Sequence, residues 1–183
     1  LMQGGGAEIS RSHGLPSASW ASTESMSVDG QASYEKAVMK LMHVLSTVNI
    51  IWGIGQLESQ RTISLPQMVI DDELAGVVYR VQRGIEVTDE TLAYDVIAEL
   101  GSTADYMGHD HTLDHFKTEV HYGDLTWTDR RERWEQAGHP DLTERAKQKV
   151  AEILEGPAPC YLDDDVRREL GAVEEKWMGK VRA

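Results

Sequence analysis

Two short stretches place an indole beside carboxylates and glycines. Trp20 is followed by Ser22, Thr23, Glu24 and Asp29, and Trp52 by Gly53, Gly55, Gln56, Glu58 and Ser59. An aromatic face next to a carboxylate suits a methylated ammonium ion, which donates no strong hydrogen bond and is held by the ring quadrupole and by negative field. The competing reading has the tryptophans filling core and the acids solvated on loops, and spacing alone leaves both open. A second constellation is His109-Asp110-His111-Thr112-Leu113-Asp114-His115, with His121 six residues on. This H-x-H-x3-H array brings several donors within reach of one ion, and Zn, Ni or Fe accepts imidazole with carboxylate. It is not the H-E-x-x-H arrangement, which sets both histidines on one helical face beside a general base. If Thr112 caps a helix, His109 and His111 precede it and can instead pack or bond to backbone. The acidic runs Asp71-Asp72-Glu73 and Asp163-Asp164-Asp165 fall where helices begin or run exposed, so dipole complementarity and solvation account for them. Cys160, between Pro159 and Tyr161, has no base nearby in sequence and is not read as a nucleophile.

Elements that would position these groups follow from periodicity and caps. Residues 15–21 form an extended candidate. Tyr34, Ala37, Val38, Leu41, Met42, Leu45 and Val48 then repeat at the spacing of one helix face. Residues 49–55 are a compact apolar run ended by glycines, which predicts a buried strand. Strand, helix, strand in this span is a βαβ unit with a parallel sheet, and ligands of such folds sit at the carboxyl ends of the strands. Beyond it helices dominate. Ser64 with Gln67 predicts a capping box and a helix over 64–83, stopped by Gly84. Thr88 or Asp89 opens another that ends at Leu100 and Gly101, Thr112 a third through about 120, and Thr128 a fourth that closes at Gly138. Asp141 with Glu144 is a further capping box, for a helix stopped by Gly156 and Pro157, and a last helix fits 165–180. Two parallel strands alone do not make a stable sheet, so the strand count is too low for a closed α/β domain.

Composition narrows the function classes. The chain has 183 residues, 40% of them hydrophobic, with 18 basic against 31 acidic side chains for a formal charge of −13. A domain of this length buries roughly 70% of its unfolded surface and needs no disulfide staples. The acidity argues against broad nucleic-acid binding, which requires a basic footprint, and against anionic membrane surfaces. The longest near-apolar run, 44–54, is interrupted by Ser46, Thr47 and Asn49, so no bilayer span is predicted. One cysteine fits a reducing, cytoplasmic setting. The start has neither a basic n-region nor an apolar h-region, and it lacks an initiating Met, so the chain is expected to be a piece of something longer. Charge is distributed unevenly: residues 1–70 hold five acids (Glu8, Glu24, Asp29, Glu35, Glu58) and four bases (Arg11, Lys36, Lys40, Arg61), so nearly all of the negative charge falls after residue 70.

An ordered set of short motifs carries a family resemblance: Gly14-Leu15-Pro16; Thr23-Glu24-Ser25 with Asp29; Gln31-Ala32-x-Tyr34-Glu35-Lys36-Ala37; Asn49-x2-Trp52-Gly53-x-Gly55-x-Leu57-Glu58-Ser59; Ile70-Asp71-Asp72-Glu73; Arg83-Gly84-Ile85-Glu86-Val87; Glu90-Thr91-Leu92-Ala93; and His111-Thr112-x2-His115-Phe116. Together they resemble the trimethylamine methyltransferase family of corrinoid-dependent enzymes, over nearly residues 1–155. The resemblance implies the carboxyl-terminal part of a TIM (β/α)8 barrel, with residues 1–85 as the last βα units and 86–183 as a helical region packing on the barrel. The missing strands would lie upstream, and Leu1 would begin inside a barrel helix. It further implies an enzyme that takes a methyl group from a tertiary or quaternary amine and passes it to the Co(I) of a corrinoid (cobalamin) carried by a partner protein, with no cofactor bound tightly by this chain itself.

Some members carry pyrrolysine in a loop that matches residues 22–29. Nothing there is non-standard, so the chain looks like the branch typified by a glycine betaine methyltransferase. In that light Trp20 and Trp52 are expected to wall an ammonium pocket, with Glu24 and Asp29 supplying negative field and Gln56 and Glu58 orienting the polar end of the ligand. Gly53 and Gly55 are expected to let a corrin approach closely. These roles rest on strand-end position. Trp52 stands where many relatives carry His, a change that would alter the amine accepted or remove a polar contact. Because the His111-Thr112 segment recurs in the family pattern, the resemblance favours no metal on His109, His111 and His115. A homo-oligomer is expected, because a half barrel exposes sheet edges; the alternative is an inactive helical interaction or dimerisation piece.

Overall fold

The structure, a computed structural model, describes residues 1–157 and 161–181, the last by backbone alone. Cys160 lies outside these residues. Two compact units are present, Leu1–Ala151 and Glu152–Ala183.

In the first unit, α1 (Met2–Ser12) precedes β1 (Ala18–Trp20). Asp29 then caps α2 (Gly30–Leu45), which leads to β2 (Ile50–Trp52). β1 and β2 pair in parallel, Ala18 with Ile50, Ser19 with Ile51 and Trp20 with Trp52, so the predicted strand, helix, strand unit is present. A small antiparallel hairpin follows, β3 (Gln56–Leu57) against β4 (Thr62–Ile63), joined through a tight turn at Glu58–Gln60. Glu58, Ser59 and Gln60 all have positive φ (51°, 50° and 77°), a costly conformation for side-chain-bearing residues. Periodicity has no purchase on strands of two residues, and the hairpin is absent from the sequence reading.

Ser64 caps α3 (Leu65–Arg83), its hydroxyl accepting from Gln67 N, and Gly84 ends it as expected. Gln67 turns its amide to Asp71 instead of back to the cap, so only half of the predicted box forms. The helix foreseen over 88–100 is two: α4 (Asp89–Leu92) and α5 (Tyr94–Leu100), parted at Ala93, whose φ is 51°. Glu90 O would accept from Tyr94 in a continuous helix; it takes Ala93 N and the imidazole of His111 instead. α6 (Asp110–Glu119) begins earlier than predicted, capped by His109. Thr112 bonds Tyr106 O and plays no capping part. α7 (Arg131–Gln136) begins after Thr128, because the Asp129 carboxylate takes Arg130 N and Arg133 Nη1. α8 (Leu142–Glu155) has the full predicted box, Asp141 and Glu144 each bonding the other's backbone N–H. Ile70, Leu125 and Ala146 form the compact apolar cluster, flanked by Val28, Val69 and Leu142.

The face of α2 is rotated from its apolar stripe. Tyr34, Val38 and Leu45 are each about three-fifths exposed, whereas Ala32, Lys36, Lys40, His43 and Val44 are buried. His43 sits between Ser19 Oγ (3.2 Å) and Gln3 Oε1 (2.6 Å) from its Nε2, with Nδ1 buried and unpartnered. Burial pushes its pKa below the ordinary histidine value. The unfolded chain therefore takes up this proton first as pH falls, so native stability declines below about pH 6.5 until the folded His43 also titrates, and is unaffected above it. Denaturant midpoints at about pH 7.5 and about pH 5.5 are expected to separate less in His43→Leu than in the parent; equal separations would remove His43 as the cause.

The second unit holds the end of α8 and the helix α9 (Asp164–Val181). Asp164 and Asp165 lie in the first turn of α9 and pair with Arg167 and Arg168, in line with the dipole reading. Among the described residues no helix is long and apolar enough to cross a membrane.

Candidate functional site

The carboxyl ends of β1 and β2 bring Trp20 and Trp52 into one aromatic pair, ring centroids 4.8 Å apart and planes at 87°. Trp52 remains 47% exposed, so a ring edge and face are open at the strand end. The two tryptophans are therefore neither lost in core nor separate.

Two loops frame the pair, and each is fixed by buried or part-buried polar groups. In the loop after β1, Glu35 of α2 accepts from Thr23 Oγ1 (2.5 Å), Glu24 N (2.9 Å) and Gln31 Nε2 (2.9 Å). Those donors, the Thr23 hydroxyl foremost, hold the Glu35 carboxyl below its usual pKa. Asp29 spends its carboxylate on Ala32 N (2.9 Å) and on the hydroxyls of Ser25 and Ser27 (2.8–3.0 Å). The Ala32 N–H leads in lowering its pKa, so Asp29 is a helix cap that keeps its charge. Glu24 is exposed and hydrogen-bonded by Ser59 Oγ of the second loop. Backbone bonds from Glu58 N to Ser25 O and Ser59 N to Thr23 O, both 2.9 Å, stitch the two loops together. The Glu58 carboxylate accepts from Thr62 Oγ1 at 2.8 Å, and Gln56 Oε1 is buried without a partner.

Beneath the second loop lies a charge network that the sequence reading missed. Lys36 Nζ donates to Asp71 Oδ2 (2.5 Å) and to Gly53 O (2.9 Å), and Asp71 Oδ2 also accepts Gly55 N (2.8 Å). Lys40 Nζ donates to Asp71 O (2.8 Å) and lies 3.3 Å from its Oδ1, while Gln67 Nε2 completes the shell at 3.1 Å. The side chains of Lys36 and Asp71 are wholly buried. Burial pushes the Lys40 ammonium below its ordinary pKa against the opposing pull of Asp71. The expectation that Asp71-Asp72-Glu73 is solvated is corrected: Asp72 alone is exposed, and Glu73 accepts from Leu125 N and from Thr126 N (2.8 Å). The signal available was Lys36 and Lys40 one helical turn apart amid apolar residues, with an acid on a later helix to meet them.

Gly53 and Gly55, expected to let a corrin approach, are both buried. Gly53 has φ +106° and an added Cβ would stand 2.6 Å from Ala21 O; Gly55 has φ +75°, and there a Cβ would meet Ser64 O and Met68 Cβ less closely, each at 3.1 Å. Their own loop accounts for glycine at both positions.

The histidine array divides. His109 Nδ1 accepts from His111 N at 3.1 Å as the cap of α6 and is not one of the converging donors. His111 and His115 converge with Glu90, a residue outside the sequence array.

Comparison with known proteins follows from the same segments. A family model described as "Trimethylamine methyltransferase (MTTB)" matches residues 1–178. The chain is 34% identical to the trimethylamine methyltransferase MttB of Desulfitobacterium hafniense over 96% of its own length and 36% of that protein's. It is 31% identical to MttB of Methanosarcina barkeri, over 93% of this chain and 34% of that one. A glycine betaine methyltransferase of Desulfitobacterium hafniense is 27% identical over 91% of this chain and 35% of that protein. The chain thus spans about a third of the length of the curated relatives it matches.

Proposed function

Because this chain belongs to the trimethylamine methyltransferase family, we propose that its strand-end aromatic pair binds a small tertiary or quaternary amine, glycine betaine being the type, as part of an enzyme that moves a methyl group from that amine to a corrinoid protein. The observation that carries this reading is the open Trp52 ring, braced edge-on by Trp20 where two parallel strands end beside carboxylate-bearing loops.

A corrinoid carried by its own protein would supply the nucleophile that accepts the methyl group from a quaternary or protonated tertiary nitrogen, which leaves as a neutral amine. No corrin contact is assigned to a residue of this chain. What these residues do is bind and orient. The indole faces attract the N-methyl cation without needing a hydrogen bond, which a quaternary nitrogen cannot donate. Glu24 and Asp29, with Glu35 and Glu58, keep the two loops negative, and the stitched backbone bonds hold the carboxylates in place without reorganisation when charge shifts off nitrogen. A quaternary nitrogen already leaves as a neutral amine, so positioning and exclusion of water matter more than proton transfer.

For the fold, we take residues 1–85 as βα units of a TIM barrel and the helices of residues 86–151, which share one compact unit with them, as a helical region packing on it. Support comes from the sheet itself: β1 and β2 have only each other among the described residues, and Ile50 is about half exposed, whereas parallel strands are ordinarily covered on both faces. The exposed stripe of α2 and the edges of β1 and β2 are surfaces that neighbouring barrel units would cover.

Titration of tryptophan fluorescence with glycine betaine, trimethylamine and tetramethylammonium tests the site. Saturable quenching by the cations and none by the neutral isostere 3,3-dimethylbutanol is the expected result. An equal response to the neutral compound would replace the ammonium site with a plain apolar surface.

A further inference from the structure

Away from the strand ends, a second set of donor atoms converges between α4 and α6. Glu90 lies in the single turn of α4, and His111 and His115 lie one turn apart on α6, so both imidazoles project from one helix face. Their rings are 4.4 Å apart, tilted by 40°. His115 Nε2 is 2.6 Å from Glu90 Oε1, and His111 Nε2 is 3.7 Å from the same oxygen. One ligand atom from each residue fits within 4.8 Å of the others.

Two N or O donors bound at about 2.0–2.1 Å on a tetrahedral ion stand roughly 3.3 Å apart. The observed 2.6 and 3.7 Å straddle that value, so a small torsion of the exposed Glu90 side chain would bring them closer to it. Two imidazoles and one carboxylate, without thiolate, match borderline divalent ions better than Ca or Mg, which take oxygen shells, or Cu(I), which takes sulfur. The His side chains are 25% and 28% exposed and Glu90 64%, so a fourth position faces solvent. Arg80, Ile85, Thr91 and Glu119 line the adjoining groove, where Arg80 and Glu119 pair at 2.8 Å; His111 Nε2 also lies 3.0 Å from Glu90 O, a contact that a bound ion would replace. His109, by capping α6 through His111 N, fixes the turn from which His111 projects.

We propose that Glu90, His111 and His115 form a three-ligand site for a divalent ion of the zinc class, joining the α4 turn to α6 and leaving one coordination position to water. The site is independent of the amine-binding reading.

Isothermal titration of the chain with Zn²⁺, and visible spectroscopy with Co²⁺, in a non-coordinating buffer provide the test. One equivalent is expected to bind, with affinity falling at least tenfold in His115→Ala and in Glu90→Gln and changing less than threefold in His121→Ala. Because substitutions on α6 can disturb the helix, X-ray absorption of the zinc-loaded parent chain is a second reading, expected to show outer-shell scattering from two imidazoles. Binding that survives His115→Ala, the lack of a saturable single equivalent, or a spectrum without imidazole would overturn the site.

Discussion

Asp71→Ala is expected to lower the unfolding free energy by about 3–5 kcal/mol, the cost of leaving a buried charge without its partner. Here the substitution strands two ammonium groups at once, since Lys36 and Lys40 both meet this carboxylate, and it orphans Gly55 N–H as well. Urea unfolding monitored by circular dichroism would measure it. Lys36→Met is expected to cost less, because Lys40 still compensates the Asp71 carboxylate when the Lys36 bonds to Asp71 Oδ2 and Gly53 O are lost. Replacing all three with apolar residues of similar volume (Lys36→Met, Lys40→Met, Asp71→Leu) should recover most of the Asp71→Ala loss. A loss below about 1 kcal/mol for Asp71→Ala would mean that water reaches the cluster and that it does not hold the second loop.

Trp52→Ala is expected to weaken binding of a quaternary ammonium roughly 30-fold, from a cation–π contribution of about 2 kcal/mol in a partly desolvated site at about 1.4 kcal/mol per decade. Trp52→Phe should retain part of the affinity, because its ring keeps a weaker quadrupole. Stability should change little, since the side chain is nearly half exposed and its loss opens no closed cavity. Fluorescence titration is compromised when an indole is removed, so calorimetry with tetramethylammonium is the appropriate readout. An unchanged affinity in Trp52→Ala would move the ammonium elsewhere even if the parent chain binds it.

Much of the architecture could be read from local pattern. The strand, helix, strand unit, the stop at Gly84, the reciprocal box at Asp141 and Glu144 and the limits of the last helix follow from caps, glycines and apolar runs, which act within a few residues. What escaped was decided at long range. Lys36 and Lys40 look like solvated positions until Asp71, more than thirty residues away, turns them inward and leaves the apolar Tyr34, Val38 and Leu45 outside. Helix 88–100 breaks because α6 claims the carbonyl of Glu90, and the same contact replaces His109 by Glu90 among the converging donors. At the strand ends, position was legible but role was not: Trp20 and Trp52 meet as anticipated, whereas Asp29 is occupied as a cap and Gly53 and Gly55 serve their own loop.

The lysine–aspartate cluster also constrains the order in which the chain can fold. If β1, α2 and β2 closed first, two ammonium groups would lie in dry surroundings with only the Gly53 carbonyl for company. If α3 settled first, Asp71 would be shut away alone. Neither half is a comfortable resting place, so sheet closure and the docking of α3 should be crossed in a single barrier, and the two halves should be lost together when the unit opens.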